Sequence, residues 1–168
     1  MIPKARIAVA LCLLTLPALA QPKGRRPADA SLIQAIRKTL PAGATEVNKP
    51  LALVFPPLGK IYVVLYRKSS DDHQIRGLAL LPNYKAVALP ETPSGDEEIA
   101  TSVFSAHLTP GTRALIVLFY THASGKPGSQ AHGRVYVYQS GAFRLDPTRS
   151  VKLEDVRTAA VARLKLAE

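Results

Sequence analysis

Two stretches of this chain, Ile-Tyr-Val-Val-Leu-Tyr at 61–66 and Ala-Leu-Ile-Val-Leu-Phe-Tyr at 114–120, are apolar on both alternating sets of positions. Successive side chains of a strand point to opposite faces, so such segments belong inside a sheet covered on both sides. That demand constrains the fold more than any other feature of the sequence. It needs at least three layers, and the chain must supply the covering elements itself.

Other strand candidates surround these two. Runs rich in Val, Ile, Leu, Tyr or Phe, bounded by Gly, Pro, Asn or Ser, span 51–55, 61–68, 75–81, 84–89, 99–108, 113–122 and 134–139, with a short one at 143–145. A short amphipathic helix precedes them. Asp29 caps it, Leu32, Ile33, Ile36 and Leu40 share one face, and Pro41-Ala42-Gly43 ends it. A second helix is predicted over 151–166, capped by Ser150, with Leu153, Val156, Ala160 and Leu164 as its buried stripe. The expectation is a single α+β domain over 29–168. It would hold a mostly antiparallel sheet of about six to eight strands in a meander, a short N-terminal helix and an amphipathic C-terminal helix.

The N-terminus has a different character. Lys4 and Arg6 precede an apolar run at 7–16, Pro17 breaks it, and Ala18-Leu19-Ala20 offers small residues at the two positions a signal peptidase reads. The run is shorter than the ~20 residues a bilayer-spanning helix needs. Residues 1–20 thus read as a signal peptide, and 21–28, with Lys23, Arg25, Arg26 and two prolines, as a flexible basic arm. Cys12, the single cysteine, leaves with the leader, so neither a disulfide nor a thiolate metal site is expected. The expected location is outside the cytoplasm, in a bacterial periplasm rather than the medium, with no transmembrane segment after cleavage.

The formal charge of +10 falls by two on removal of Lys4 and Arg6 and remains strongly positive. Such a chain favours anionic partners. An exported protein rarely meets nucleic acid, so the expected partner is another protein or an anionic component of the envelope.

Thr109-Pro110-Gly111-Thr112 reads as a tight turn. A regular hairpin about it would set Phe104 opposite Val117, His107 opposite Ala114 and His122 opposite Ile99. In a meander, alternate connections emerge at the same end. The longer ones, 69–74, 90–98 and 123–133, would then share an end carrying Asp71, Asp72, Glu91, Asp96, Glu97 and Glu98, half of the chain's 12 acidic residues. His73, His122 and His132 lie there too. Imidazoles and carboxylates together suggest a cation site or a patch for a basic partner. His122 and His132 flank one connection and would approach each other if their strands pair. A second candidate is an aromatic face of Tyr120, Tyr136 and Tyr138 with Arg134, leaving Phe119, Val135 and Val137 for the core.

No catalytic signature is present. No histidine opens an H-E-x-x-H pattern, no serine has the glycines of a nucleophile elbow, and 124–129 lacks the spacing of a phosphate loop. No cofactor is expected. The sequence therefore favours a non-catalytic binding protein of the cell envelope, such as an inhibitor or immunity-type protein. The alternative is a metal- or histidine-dependent hydrolase using the long-loop end.

Overall fold

A computed structural model of the chain describes residues 30–92, 96–122 and 129–168. The expected signal peptide, basic arm and Asp29 cap, part of the 90–98 connection and the first part of the 123–133 connection lie outside the described residues. Nine strands and three helices are found among those described. They run α1 (Ala30–Thr39), β1 (Thr45–Glu46), β2 (Leu51–Phe55), β3 (Gly59–Arg67), β4 (Arg76–Leu80), β5 (Ala86–Ala88), β6 (Glu97–Thr109), β7 (Thr112–His122), β8 (Gln130–Gln139), β9 (Ala142–Leu145), α2 (Pro147–Val151) and α3 (Ala159–Ala167). The α+β class and the antiparallel pairing are as expected. No helix among the described residues is long and apolar enough to cross a membrane.

The single meander is not what forms. The strands divide into a five-stranded sheet, in which β3 pairs with β1, β2 and β4 and β4 pairs with β5, and a four-stranded sheet ordered β6-β7-β8-β9. The chain crosses from one to the other between β5 and β6. The sheets pack face to face. Phe55, Ile61, Val63, Leu65, Ile75, Ala79 and Leu89 from the first meet Leu115, Val117, Phe119, Tyr136 and Phe143 from the second. Alternate residues of β3 and β7 point the other way. Val64, Leu78 and Leu80 lie under Leu32 and Ile36 of α1. Ala114, Ile116, Leu118 and Val135 lie under Leu153, Val156, Ala162 and Leu166. The result is four layers, helix, sheet, sheet, helix, and it is why β3 and β7 are apolar on both parities.

Turn chemistry fixes the hairpins. Gly111 has φ 83°, as the second central residue of a type II turn needs. Ser140 and Gly141 both have positive φ, which matches the two-residue turn joining β8 to β9. Two bulges shift the register of β6 on β7, between Ala100 and Ser102 and between His107 and Thr109. Each moves the pairing by one residue. Phe104 therefore faces Ile116 rather than Val117, His107 faces Arg113, and His122 faces Glu97. Phe104 and Val117 sit in different cores, on opposite faces of the sheet.

The C-terminal helix is also broken where one helix was expected. Asp146, not Ser150, caps α2, accepting from Arg149 N–H. The helix stops because the next residues serve β8 instead: Asp155 takes φ 60° and donates its N–H to Ala131 O at 2.7 Å. Thr158 then caps α3. The interruption shifts the helical phase, so Ala162 and Leu166 are buried while Leu164 is 68% exposed. Ile33 of α1 is likewise largely exposed.

Phe104 is buried against the helical layer and carries the Arg163 guanidinium over its ring at 4.6 Å. Phe104→Ala is expected to destabilise the chain by about 3–5 kcal/mol, read as a fall in the urea midpoint.

Candidate functional site

The described parts of the long connections do meet at one end of the sandwich, and Glu98 stands at their centre. The expected loop end is in part strand. Glu97 and Glu98 open β6, and His132 lies within β8. Glu98 pairs with Thr121, on the inner face of its sheet, and is 0% exposed. Arg134, opposite Val117, shares that face and is 5% exposed.

Their side chains reach across β7. Arg134 Nη2 donates to Glu98 Oε1. The second carboxylate oxygen accepts Ile75 N–H at 2.9 Å, from the other sheet. Arg134 also donates to Ile75 O at 3.4 Å and Thr92 O at 3.3 Å, and its guanidinium lies 4.5 Å from the Phe119 ring centre. Glu98 N–H donates to His73 O at 3.0 Å, and Glu98 O accepts from Arg67 at 2.8 Å. A buried carboxylate is tolerable only when charge and hydrogen bonds replace its water, and here every partner is supplied.

Asp72, Glu91 and Glu97 are held by basic residues too. Burial raises the Asp72 pKa, but N–H groups of Gln74 and Lys68 and the Arg76 guanidinium outweigh it, and the net shift is downward. Glu91 pairs with Arg76 at 3.1 Å and Lys68 at 3.5 Å, and Glu97 with Arg67 at 3.7 Å. Asp71 is exposed and accepts from Ser70 Oγ, and Asp96 is half-buried. Four basic residues, Arg67, Lys68, Arg76 and Arg134, thus neutralise the acidic end from within. The sequence reading passed over the first three. Only Asp72 and Arg76, four residues apart, carried a local signal.

The histidines do not converge. His73 is exposed and contributes its carbonyl. His132 pairs directly with Phe119 of β7, and the rings stack at 5.3 Å. His122 lies three residues beyond Phe119, an odd offset, so it takes the opposite face and sits about 10 Å further along the strand. The two imidazoles cannot ligate one ion. No group of three or more His, Cys, Asp or Glu that could hold a metal is found among the described residues.

The aromatic face is also redistributed. Leu115 pairs with Tyr136 and Val117 with Arg134, so even-numbered residues of β8 share a face with odd-numbered residues of β7. Tyr136, Tyr138 and Arg134 point between the sheets, and Tyr120 points away from them. Tyr136 is only 3% exposed, and burial pushes its hydroxyl up to about 12. Phe119 is on the tyrosine side, not with Val135 and Val137.

Beside this buried network a cleft of about 330 Å³ opens against β8 and α2. Thr92, Glu98, Thr121, His132 and Arg134 supply polar lining, Leu145, Pro147 and Val151 apolar lining, and the exposed Glu154 adds a carboxylate. His132 lies 4.0 Å from Glu98 Oε1, yet burial first, and the Arg134 charge second, lower its pKa to about 4. It is therefore neutral at pH 7, and the contact is not an ion pair there. Ser150 Oγ, at the rim, is already engaged, donating to Asp146 O and accepting from Val135 N–H. Comparison with known proteins gives no match: no family model fits the chain, and no curated protein or solved structure resembles it significantly.

Four outcomes are expected. Glu98→Gln leaves Arg134 buried without its counter-charge and should cost about 3–5 kcal/mol in urea unfolding. Glu98→Met with Arg134→Met should cost less than that single change, because no lone charge remains. For His132 the folded pKa lies below the unfolded value, so the unfolded chain binds the extra proton. Stability should be full above pH ~6.5 and decline as pH falls towards 4. His132→Phe, which keeps the stack on Phe119, should flatten that part of the profile.

Proposed function

We propose that the chain is an exported, non-catalytic binding protein of the bacterial cell envelope, of inhibitor or immunity type, acting in the periplasm. The leader-like segment at 1–20 and the positive charge support the location and a partner outside the cytoplasm. The observation that carries the binding role is the cleft against β8. Its polar wall is held by a closed network of ion pairs and its other wall is apolar, the composition of a preformed recognition site. The hydrolase reading lacks comparable support, since no hydroxyl among the described residues is hydrogen-bonded to His132 and the Ser150 hydroxyl is committed to backbone groups.

The test has two readouts. N-terminal sequencing of the tagged chain from the periplasmic fraction should begin at Gln21. Cross-linking there should capture a protein which, once purified, binds the chain saturably in calorimetry. A chain that retains Met1 in the cytoplasm, or a captured protein that gives no binding heat, overturns the reading.

A further inference from the structure

The end of the sandwich opposite Glu98 has a different charge. Four hairpin turns close there, at 56–58, 81–85, 110–111 and 140–141. They are bounded by the pairs Phe55 with Gly59, Leu80 with Ala86, Thr109 with Thr112 and Gln139 with Ala142. The packing of the two sheets brings these turns together. Phe55 meets Phe143 with ring centres 5.6 Å apart, and Ser105 Oγ donates to Val54 O at 3.5 Å. No Asp or Glu occurs in 47–70, 73–90 or 99–145, the stretches that supply all four turns and the strand ends beside them. Lys60, Lys85, Arg113 and Arg144 lie in a turn or within three residues of one.

None of these four cations has an ion pair among the described residues, whereas Arg67, Arg76 and Arg134 at the other end all have carboxylate partners. Arg113 Nη2 lies 2.6 Å from His107 Nε2. A guanidinium only donates, so the imidazole nitrogen accepts and adds no counter-charge. Lys60, Lys85 and Arg144 are exposed. Between the cations the turn tips are apolar rather than acidic. Pro56, Pro57, Pro82 and Pro110 are exposed, and so is Tyr84, whose hydroxyl is hydrogen-bonded to Ser31 Oγ at 3.2 Å.

We infer that this end of the sandwich docks on an anionic lipid surface. Cations set around exposed proline and tyrosine tips match a layer whose headgroup phosphates are charged and whose interface accepts amphipathic rings. The turns are short, so they offer no long loop with which to grip a shaped protein partner, and a lipid surface asks for none. The cleft lined by Thr92, Glu98 and Thr121 lies at the other end. It stays open to solvent when the turns rest on lipid, and the inference does not depend on the cleft being a binding site.

The test is co-sedimentation of the exported chain, at low salt, with vesicles of phosphatidylcholine and phosphatidylglycerol in equal parts. Binding is expected there and not on phosphatidylcholine alone. A cation held near such a surface contributes about fivefold in partitioning. Lys60→Gln combined with Lys85→Gln and Arg144→Gln should therefore weaken binding on the order of 100-fold. The same loss of charge on the helical side, Lys152→Gln with Arg157→Gln and Lys165→Gln, should weaken it less than about fivefold. All six side chains are exposed, so neither triple variant should lose its fold. The chain has no Trp, so Tyr84→Trp supplies a lone reporter whose emission should shift to the blue on the mixed vesicles, while Val161→Trp on α3 should not respond. Equal losses from the two triple variants, or no shift of the Tyr84→Trp emission at saturating lipid, overturn the inference. So does binding to soluble polyglutamate without binding to the vesicles, which would make the partner an acidic protein.

Discussion

The buried pair of Glu98 and Arg134 is the constraint on which the arrangement at the long-loop end depends. Two facing sheets are open at their ends, and side chains there must meet water or something that replaces it. In this chain the end is closed by a carboxylate that bonds to an arginine of its own sheet and to the first backbone N–H of the opposing strand layer. The arginine in turn holds two carbonyls of the other half, Ile75 O and Thr92 O. Two apolar side chains in these positions would seal the end equally well. They would not fix where the 90–98 crossover lies against β4 and β8, because apolar contact is non-directional and hydrogen bonds are not.

That distinction bears on the cleft. Thr92, one of its polar walls, is positioned through its carbonyl by both Arg134 and Gln74. Arg76 and Arg67 hold the flanking carboxylates in the same way. The acidic residues thus act as fasteners for the crossover rather than as a charged surface, and the chain's excess of basic residues is partly consumed inside it. The rest of the cleft lining consists of Thr121, Ser150, Glu154, a neutral imidazole and a few apolar side chains.

Much of the fold was legible in the sequence because it follows from local patterning. Apolar residues on both parities marked β3 and β7 as central, and Pro110-Gly111 marked its hairpin. Leu32, Ile36 and Leu40 marked the buried side of α1. What escaped was set by register. Two bulges in β6 leave no mark in composition, and each moves every later pair by one residue. The offset between β7 and β8 depends on a connection whose length does not dictate parity, so the tyrosines fell on the unexpected side. The break between α2 and α3 arises because Asp155 is recruited by Ala131 O, a residue 24 positions earlier, and no periodicity reports that. Of the site, the carboxylates and His132 were legible as a cluster, whereas their pairing with the arginines exists only once the strands are in register.

The Glu98–Arg134 network has a kinetic consequence as well. Nearly every strand pair here joins sequence neighbours, so the hairpins can close early and at small entropic cost. The network instead links residues 23, 36 and 59 positions apart, and it gains nothing until both sheets are in place and dry. Contacts made that late contribute to the height of the barrier seen from the native side, not from the unfolded side. The ion pair therefore serves as a latch more than as a guide, holding together an assembly whose strands have already found one another.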